Sequence, residues 1–203
     1  MSPRKSDSRE RMLHSTMTLL REYGASATTM DRVLAHSGAP RGSVYHHFPR
    51  GRTQLMEEAV TLGGGLMTGM IETLAQADDP VRAVDDFFAH WRSQVADSGF
   101  RAGCAIVAVA VETNDDAPQL ARTAGRAFAR WQQAFTTLLT RHGLPEERSR
   151  RLAALIVAAE EGAVVLCRAQ ESTLPMEDAA AEIHELLVHA LADRPETRAD
   201  TGP

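Results

Sequence analysis

Residues 28–48 read TTMDRVLAHSGAPRGSVYHHF, and this stretch decides the fold of the N-terminal region. Met30, Val33 and Leu34 recur at helical spacing, which predicts a short helix with one buried face. Gly38 follows and suits the left-handed conformation that ends a helix, and a proline two residues later suits the start of the next one. Two short helices joined by a glycine turn form a helix-turn-helix, whose second helix enters the major groove of DNA. The stretch therefore predicts a DNA-binding head.

The charge distribution agrees with this interpretation, although the net charge of −5 taken alone argues against a nucleic-acid binder. Residues 1–50 hold eight basic and four acidic residues, a balance of +4, while the rest of the chain carries 14 basic and 23 acidic residues, a balance of −9. Affinity for phosphate depends on local charge, because each neutralised phosphate releases condensed counterions. A chance difference in composition is the alternative, and its coincidence with the helix-turn-helix disfavours it.

The same stretch resembles the head of TetR-family transcriptional repressors, in which a tyrosine, a variable residue, His-Phe and Pro follow in order, here at 45–49. A second segment, FRAGCAIVAVAVE at 100–112, resembles the Gly-Cys-Pro-Ile segment of the subgroup that includes the lincomycin-resistance operon repressor. Ala105 stands where many of those relatives carry proline, so the start of that helix is expected to differ locally. The resemblance spans about residues 8–192. It implies a homodimer, a palindromic double-stranded DNA operator and a small hydrophobic effector that releases the protein from it.

The first residues of the second helix are the candidates for reading bases. The fork of Arg41 fits O6 and N7 of guanine, Ser43 can bond either kind of base edge, and Gly42 permits close approach to the duplex. Thr28 and Thr29 are predicted as phosphate donors at a helix N-terminus, with a purely structural cap as the alternative.

The resemblance implies that Tyr45 and His46 contact the DNA backbone. His47 belongs to the same pattern. Its two interpretations, a DNA contact and a structural role in the turn into the fourth helix, stay open.

Composition favours an all-α protein of the cytoplasm. The chain is 43% hydrophobic, has no apolar run near the roughly 18 residues of a membrane span, and lacks the apolar core of a signal peptide. Cys104 and Cys167 lie far apart, which fits reduced thiols. A redox-sensing regulator acting through either cysteine, and a DNA-binding regulator without an effector, remain alternatives.

No residue pattern predicts an enzyme, a cofactor or a metal site. The eight histidines are scattered, and none stands in a nucleophile motif. Glu160 and Glu161 point about 100° apart on a helix, so they are not expected to share a proton. One is expected to face solvent and the other to lie in a pocket or interface.

Periodicity and helix-end signals predict nine helices and no strand. We divide the chain into a helix-turn-helix domain at 1–50, a helical effector-binding and dimerisation domain at 51–192, and a disordered tail at 193–203. The helices are expected at about 8–23, 29–37, 41–48, 51–77, 80–95, 104–113, 118–142, 146–170 and 175–193.

Soft and aromatic residues in helices four to seven predict an apolar ligand pocket, although an ordinary core is the simpler interpretation for any one of them. His90 and Glu112 are possible polar contacts. The predicted lining is Met67, Met70, Phe88, Trp91, Cys104, Phe128 and Trp131.

Helices eight and nine are implied by the resemblance to form the four-helix bundle of the dimer, with packing inside one chain as the alternative. The predicted interface residues are Leu155, Ala159, Gly162, Ala163, Leu166, Ile183 and Leu187.

Three glycines at 63–65 lie in the middle of the fourth helix. Each costs roughly 1 kcal/mol relative to alanine in a helix interior, about 3 kcal/mol together, which predicts a kink or local unwinding there. This point would be the hinge through which a ligand re-angles the head. The alternative is that the glycines allow a neighbouring helix to pack closely.

Overall fold

The computed structural model describes residues 5–112 and 117–193, with side chains from Ser8 onward. These residues form nine α-helices and no strand, which confirms the predicted fold class. Residues 194–203 of the predicted tail lie outside the described residues. The helices are α1 (Lys5–Ala27), α2 (Met30–Ser37), α3 (Arg41–His47), α4 (Gly51–Leu74), α5 (Pro80–Asp97), α6 (Ala105–Glu112), α7 (Pro118–Arg141), α8 (Glu146–Gln170) and α9 (Leu174–Ala192).

The head is built from α1, α2, α3 and the first turns of α4. Thr29 caps α2, since its side chain accepts a hydrogen bond from the Arg32 backbone N–H at 3.3 Å. Gly38 ends the same helix in the left-handed conformation, with a φ of 63°. The head has its own small core, which consists of Met12, Leu13, Leu19, Val33, Ala39, Val44, Phe48, Leu55 and Ala59.

The body is a bundle of α4 to α9 around a larger core. α4 packs mainly against α7, α7 against α8, and α8 against α9, while α5 covers α8 and α9. Asp79 caps α5 by accepting hydrogen bonds from the Val81 and Arg82 backbone N–H groups at 2.9 and 3.1 Å. α1 reaches this bundle through α4 and α6, so the head helix also packs on the body.

The predicted unwinding at 63–65 is wrong, because α4 runs without interruption from Gly51 to Leu74. A Cβ atom on Gly64 would lie 2.9 Å from the Ala127 Cβ, so α7 approaches α4 at this residue more closely than a side chain allows. The Gly64 carbonyl also accepts a hydrogen bond from Trp131 Nε1 at 3.2 Å. The close-packing alternative therefore describes Gly64.

The helical path is instead broken in α1, at Gly24, whose φ of 83° and ψ of 176° are not helical. The regular part of α1 thus ends next to residue 23, the predicted end of the first helix. Residues 25–27 form one further turn before α2.

Candidate functional site

α3 carries the surface predicted to contact DNA. Its inner face holds Val44 and the helix is followed by Phe48, which are 3% and 0% exposed in the head core. Tyr45 projects outward and is 75% exposed. Arg41 and His46 are also exposed. This division follows from helical spacing, which sets the residues that anchor α3 and those that face outward on different sides.

The start of α3 is open. Arg41 Nη2 forms an ion pair with Asp31 Oδ1 at 2.5 Å, and the two side chains are 77% and 74% exposed. An ion pair this exposed contributes at most about 1 kcal/mol to stability. Arg41 can therefore exchange Asp31 for another partner. A Cβ atom on Gly42 would meet no heavy atom within 4 Å. The Ser43 hydroxyl donates to the Pro40 carbonyl at 2.7 Å.

Thr28 is buried, so the prediction that it contacts a phosphate is wrong. It is 1% exposed, and its hydroxyl donates to the Gly24 carbonyl at 2.6 Å. The exposed Thr29 is the residue that caps α2. His47 is half-buried, and its Nε2 lies 3.0 Å from the Ser8 hydroxyl, a contact that fits the structural interpretation of this histidine.

A cavity of about 480 Å³ lies between α1, α4, α5, α6 and α7. Five of the seven predicted pocket residues line it: Met67, Met70, Trp91, Cys104 and Trp131. His90 lines it as well, and burial followed by the nearby charge of Arg21 holds the pKa of its imidazole below the usual value.

Two predicted pocket residues lie elsewhere. Phe88 is on the side of α5 that faces α9, where it lines a shallower groove with Met176 and His184. The Phe128 ring packs edge-on against Trp131, with 5.2 Å between centroids, and does not reach the cavity. Aromatic residues on one helix share a stripe in sequence, but the neighbouring helices determine which of them border a cavity.

The wall contributed by α1 was not predicted, because the sequence assigns this helix to the head. It comprises His14, Met17, Thr18 and Arg21. Arg21 Nε donates to the Gly103 carbonyl at 3.1 Å, and its Nη2 donates to Gln94 Oε1 at 2.9 Å. Burial holds the pKa of this guanidinium below its ordinary value.

Glu160 and Glu161 lie behind the cavity and are both buried, at 0% and 9% exposed, which corrects the expectation that one faces solvent. Their carboxyl oxygens have no nitrogen or oxygen partner among the described residues, and the Cys104 thiol lies beside Glu161. Burial raises the pKa of Glu161 to about 7, and burial together with the charge of Glu161 raises the pKa of Glu160 well above its usual value. Burial and these two carboxyls also raise the pKa of the Cys104 thiol. In the described residues, no cluster of His, Cys, Asp and Glu could hold a metal ion.

Glu112 is not a cavity residue but joins α6 to the end of α1. Its two carboxylate oxygens accept hydrogen bonds from the Ala25 and Ser26 backbone N–H groups at 3.0 and 2.7 Å. The guanidinium of Arg52, on α4, donates to the Thr28 carbonyl at 2.8 Å and to the Ala25 carbonyl. Three helices thus converge on the turn at 25–27.

The outer face of α8 is apolar and exposed. Leu155 and Leu166 are 45% and 49% exposed, Gly162 is exposed between them, and Ala159 is half-buried. The other predicted interface residues are excluded because they lie in the chain's own core; they are Ala163, Ile183 and Leu187, at 3%, 5% and 0% exposed. Further exposed apolar residues on α8 and α9 were not in the prediction: Val165, Leu174 and Val188.

No helix in the described part of the chain combines the length and the apolar character that a bilayer crossing requires.

Comparison with known families finds a match for the N-terminal part of the chain and another for the C-terminal part. Residues 80–182 match the family model described as "Transcriptional regulator LmrA/YxaF-like, C-terminal domain". Residues 12–59 match the model of the bacterial regulatory proteins of the tetR family. The first match includes α5, α6 and α7, and the second includes the helix-turn-helix.

Among curated relatives, an uncharacterised HTH-type transcriptional regulator of Mycobacterium tuberculosis is 59% identical over 63 residues, 31% of this chain and 32% of the relative. YxaF of Bacillus subtilis is 41% identical over 68 residues, 34% of this chain and 36% of the relative. LmrA of the same organism, an HTH-type transcriptional regulator, is 44% identical over 54 residues, 27% of this chain and 29% of the relative. The chain thus spans about a third of the length of the curated relatives it matches.

Solved structures extend the likeness over the whole fold. A TetR transcriptional regulator from Chloroflexus aurantiacus superposes with a TM-score of 0.76 at 26% identity, over 91% of this chain and 96% of that one. A TetR transcriptional regulator from Legionella pneumophila gives a TM-score of 0.81 at 18% identity, over 92% and 98% of the two chains.

Proposed function

The chain belongs to the TetR family of bacterial transcriptional regulators, with an LmrA/YxaF-like C-terminal domain, and on this premise we propose that it is a dimeric, ligand-released repressor. It binds a palindromic DNA operator in the cytoplasm and leaves it when a small, largely hydrophobic molecule fills the cavity. The family and the matched relatives are transcriptional regulators rather than enzymes.

The observation that carries the proposal is the outward face of α3. Tyr45 is 75% exposed, and its hydroxyl has no hydrogen-bond partner among the described residues. An aromatic residue so exposed on a well-anchored helix leaves apolar surface in water, which a DNA backbone would cover. Arg41 and His46 flank it, so the face combines a base-reading fork with two groups that reach phosphates.

Dimerisation is supported by the outer face of α8 and α9. Leu155, Leu166 and Leu174 are large apolar side chains about half exposed on the same pair of helices. Gly162 lies among them, and a Cβ atom there would meet nothing within 4 Å in its own chain. A two-fold dimer through this face would set the two recognition helices for successive major grooves, roughly 34–36 Å apart.

Ligand release is supported by the cavity, whose size and apolar walls suit a small organic molecule. The redox alternative has less support. Cys104 and Cys167 are both buried, and burial raises the pKa of both thiols, so neither is a reactive thiolate at neutral pH.

DNA recognition is tested by selecting bound sequences from a random pool and measuring affinity for the enriched duplex. We expect two inverted half-sites. Arg41→Ala should weaken binding by about 1–3 kcal/mol and relax the preference at one base pair. Tyr45→Phe should weaken binding by roughly 1 kcal/mol, equally on selected and scrambled DNA.

Arg82 provides the matched control, because it is a 78% exposed arginine on α5 that also makes one exposed ion pair. Arg82→Ala should leave DNA affinity unchanged. Equal behaviour of the Arg41 and Arg82 variants would refute the assignment of α3 as the reading helix. Footprints that no small molecule alters would support the effector-independent alternative.

The dimer is tested by sedimentation of Gly162→Leu. The added side chain should disrupt a close helix contact between subunits and cost about 1–3 kcal/mol of association. We expect the variant to sediment as a monomer. It should melt at nearly the same temperature as wild-type protein that has been diluted until it is monomeric. A variant that stays dimeric would place the interface on another face.

A further inference from the structure

The cavity contains a positive charge without a negative partner. Arg21 belongs to its lining, and that lining includes no aspartate, glutamate or lysine among the described residues. No carboxylate in the described part of the chain lies within ion-pair distance of this guanidinium. The adjacent Glu22 instead pairs with Arg101 at 3.4 Å, outside the cavity.

The guanidinium is held in a fixed orientation by neutral groups. Arg21 Nε donates to the Gly103 carbonyl and Nη2 donates to Gln94 Oε1, so two separate segments of the body hold the side chain. An arginine carries more N–H donors than these two bonds use, so further donors remain for a ligand. A partly buried charge without an ion-pair partner favours an anionic ligand, which makes Arg21 a preformed anion site.

The remaining lining is polar mainly on α1 and α5, which also contribute the apolar Met17 and Trp91, and apolar on α4, α6 and α7. The polar side chains, His14, Thr18, His90 and Gln94, come from α1 and α5, the same helices that surround Arg21. Because burial and Arg21 keep the pKa of His90 below its usual value, this imidazole adds a hydrogen-bonding group but no charge at neutral pH. The facing wall from α4, α6 and α7 is apolar and consists of Leu66, Met67, Met70, Ile106 and Trp131.

We propose that the cavity binds an amphipathic organic acid. Its carboxylate contacts the Arg21 guanidinium on α1, and its apolar body lies against Met67, Met70 and Trp131. The proposal names the chemical class of the effector and rests on the proposed function only in taking this cavity as the effector site.

The ligand would therefore touch the helix that carries the head. The backbone of Arg21 is also bound to the body, since its carbonyl accepts a hydrogen bond from the Gly103 N–H at 2.8 Å. An acid seated on the remaining guanidinium donors shares this side chain with the Gly103 carbonyl and Gln94. Binding is thus coupled to the contacts that join α1 to the body three residues before the break at Gly24.

The alternative is that Glu160 and Glu161, rather than Arg21, are the charged groups that the ligand contacts. These carboxyls would favour a cation. Neither residue lines the cavity, and Cys104 lies between them and it. A set of three ligands with one aromatic body and different charge distinguishes the two assignments: anthracenecarboxylate, neutral anthracenylmethanol and cationic anthracenylmethylamine.

Binding is measured on the free protein at pH 7 by energy transfer from tryptophan, since both tryptophans of the chain, Trp91 and Trp131, line the cavity. We expect the carboxylate to bind about tenfold more tightly than the alcohol, because a charge-assisted bidentate contact is among the strongest hydrogen bonds. Tighter binding of the amine, or equal binding of acid and alcohol, would overturn the proposal. No DNA is present, so a failure of DNA recognition leaves this result unchanged.

Variants locate the contact. Arg21→Met should remove the preference for the carboxylate and leave alcohol binding nearly unchanged, whereas Arg21→Lys should retain most of the preference. Arg82→Met is the control, since it removes an exposed arginine of α5 outside the cavity. If the preference survives in a folded Arg21→Met protein, the anion binds elsewhere. If that variant does not fold, the comparison of the three ligands on the wild-type protein still decides the question.

Discussion

Two glycine segments border the head–body junction, and they behave in opposite ways. Gly63, Gly64 and Gly65 stand together in α4, yet the helix continues through them without interruption. Gly24 stands alone in α1, yet the helix breaks there, with a φ of 83°. The number of glycines does not decide where a helix is interrupted.

Tertiary contacts account for the difference. In α4 the absence of a side chain at Gly64 brings Ala127 of α7 into contact, and the Gly64 carbonyl accepts the Trp131 N–H, which offsets the propensity cost of the glycines. The break at Gly24 frees the backbone N–H groups of Ala25 and Ser26. The carboxylate of Glu112, from another helix, caps both of them. One segment is held helical by a neighbour, and the other is held non-helical by a neighbour.

The largest expected effect separates adjacent glycines of α4. Gly64→Leu should lower the free energy of unfolding by up to about 3 kcal/mol, because even a Cβ atom would lie 2.9 Å from Ala127. Gly65→Leu is the matched control, since a Cβ atom there meets nothing within 4 Å; it should raise stability by about 0.5–1 kcal/mol through helix propensity. Urea denaturation of both variants measures the difference. Similar values for the two would mean that α7 does not depend on the glycine at position 64.

A smaller effect is expected at the break in α1. Gly24→Ala should cost about 1–2 kcal/mol, because its positive φ is strained for any other residue and the new Cβ atom would meet Glu112 Oε1 at 2.1 Å. Gly99→Ala carries the same kind of backbone strain, at a φ of 62°, without a neighbour within 4 Å. Gly24→Ala should therefore lower the free energy of unfolding more than Gly99→Ala does. This difference should become smaller when both substitutions are made in a Glu112→Ala background. An unchanged difference in that double-mutant cycle would show that Glu112 does not occupy the space beside Gly24.

The smallest effect concerns the cap itself. Burial by itself would raise the pKa of Glu112, but hydrogen bonds from Ser26 and Ala25 and the charge of Arg52 outweigh it, so the pKa lies below its usual value of 4.5. A carboxyl whose folded pKa is depressed contributes stability above its unfolded pKa and loses it as the pH falls through the folded value. Glu112→Gln should therefore cost about 0.5–1 kcal/mol at pH 7, a small value because the side chain is exposed, and progressively less below pH 4.5.

Thermal melts from pH 3 to pH 7 measure this loss. Glu72→Gln, at an exposed glutamate of α4 without an ion pair among the described residues, is the control and should show no such dependence. If the stability difference between wild type and Glu112→Gln is constant with pH, the carboxylate charge does not hold the turn at 25–27.

The recognition helix could be predicted because its information is local. The anchoring of α3 by Val44 and Phe48, and the outward direction of Arg41 and Tyr45, follow from spacing within eight residues. Thr28 was misassigned for a related reason. A threonine beside a helix start can serve as a cap from either position, and only the contact with the Gly24 carbonyl distinguishes Thr28 from Thr29.

The cavity could be predicted only in part, because its walls come from five helices that are distant in sequence. Met67, Met70, Trp91, Cys104 and Trp131 were identified from composition, while Arg21 was not, since a charged residue in a head helix gives no signal of a ligand. On α8, apolar residues occupy both faces of the helix, so periodicity did not separate the buried Ala163 from the exposed Leu166.

By itself the sequence determined the helical class, the approximate helix ends and the outward face of α3, because capping, periodicity and turn chemistry act over a few neighbouring residues. The tertiary structure alone decided that α4 stays continuous at Gly64, that Glu160 and Glu161 are both buried, and that Arg21 of the head helix enters a cavity of the body. These outcomes depend on how closely separate helices approach one another. That approach is set by packing over the whole bundle, and no local stretch of the chain specifies it.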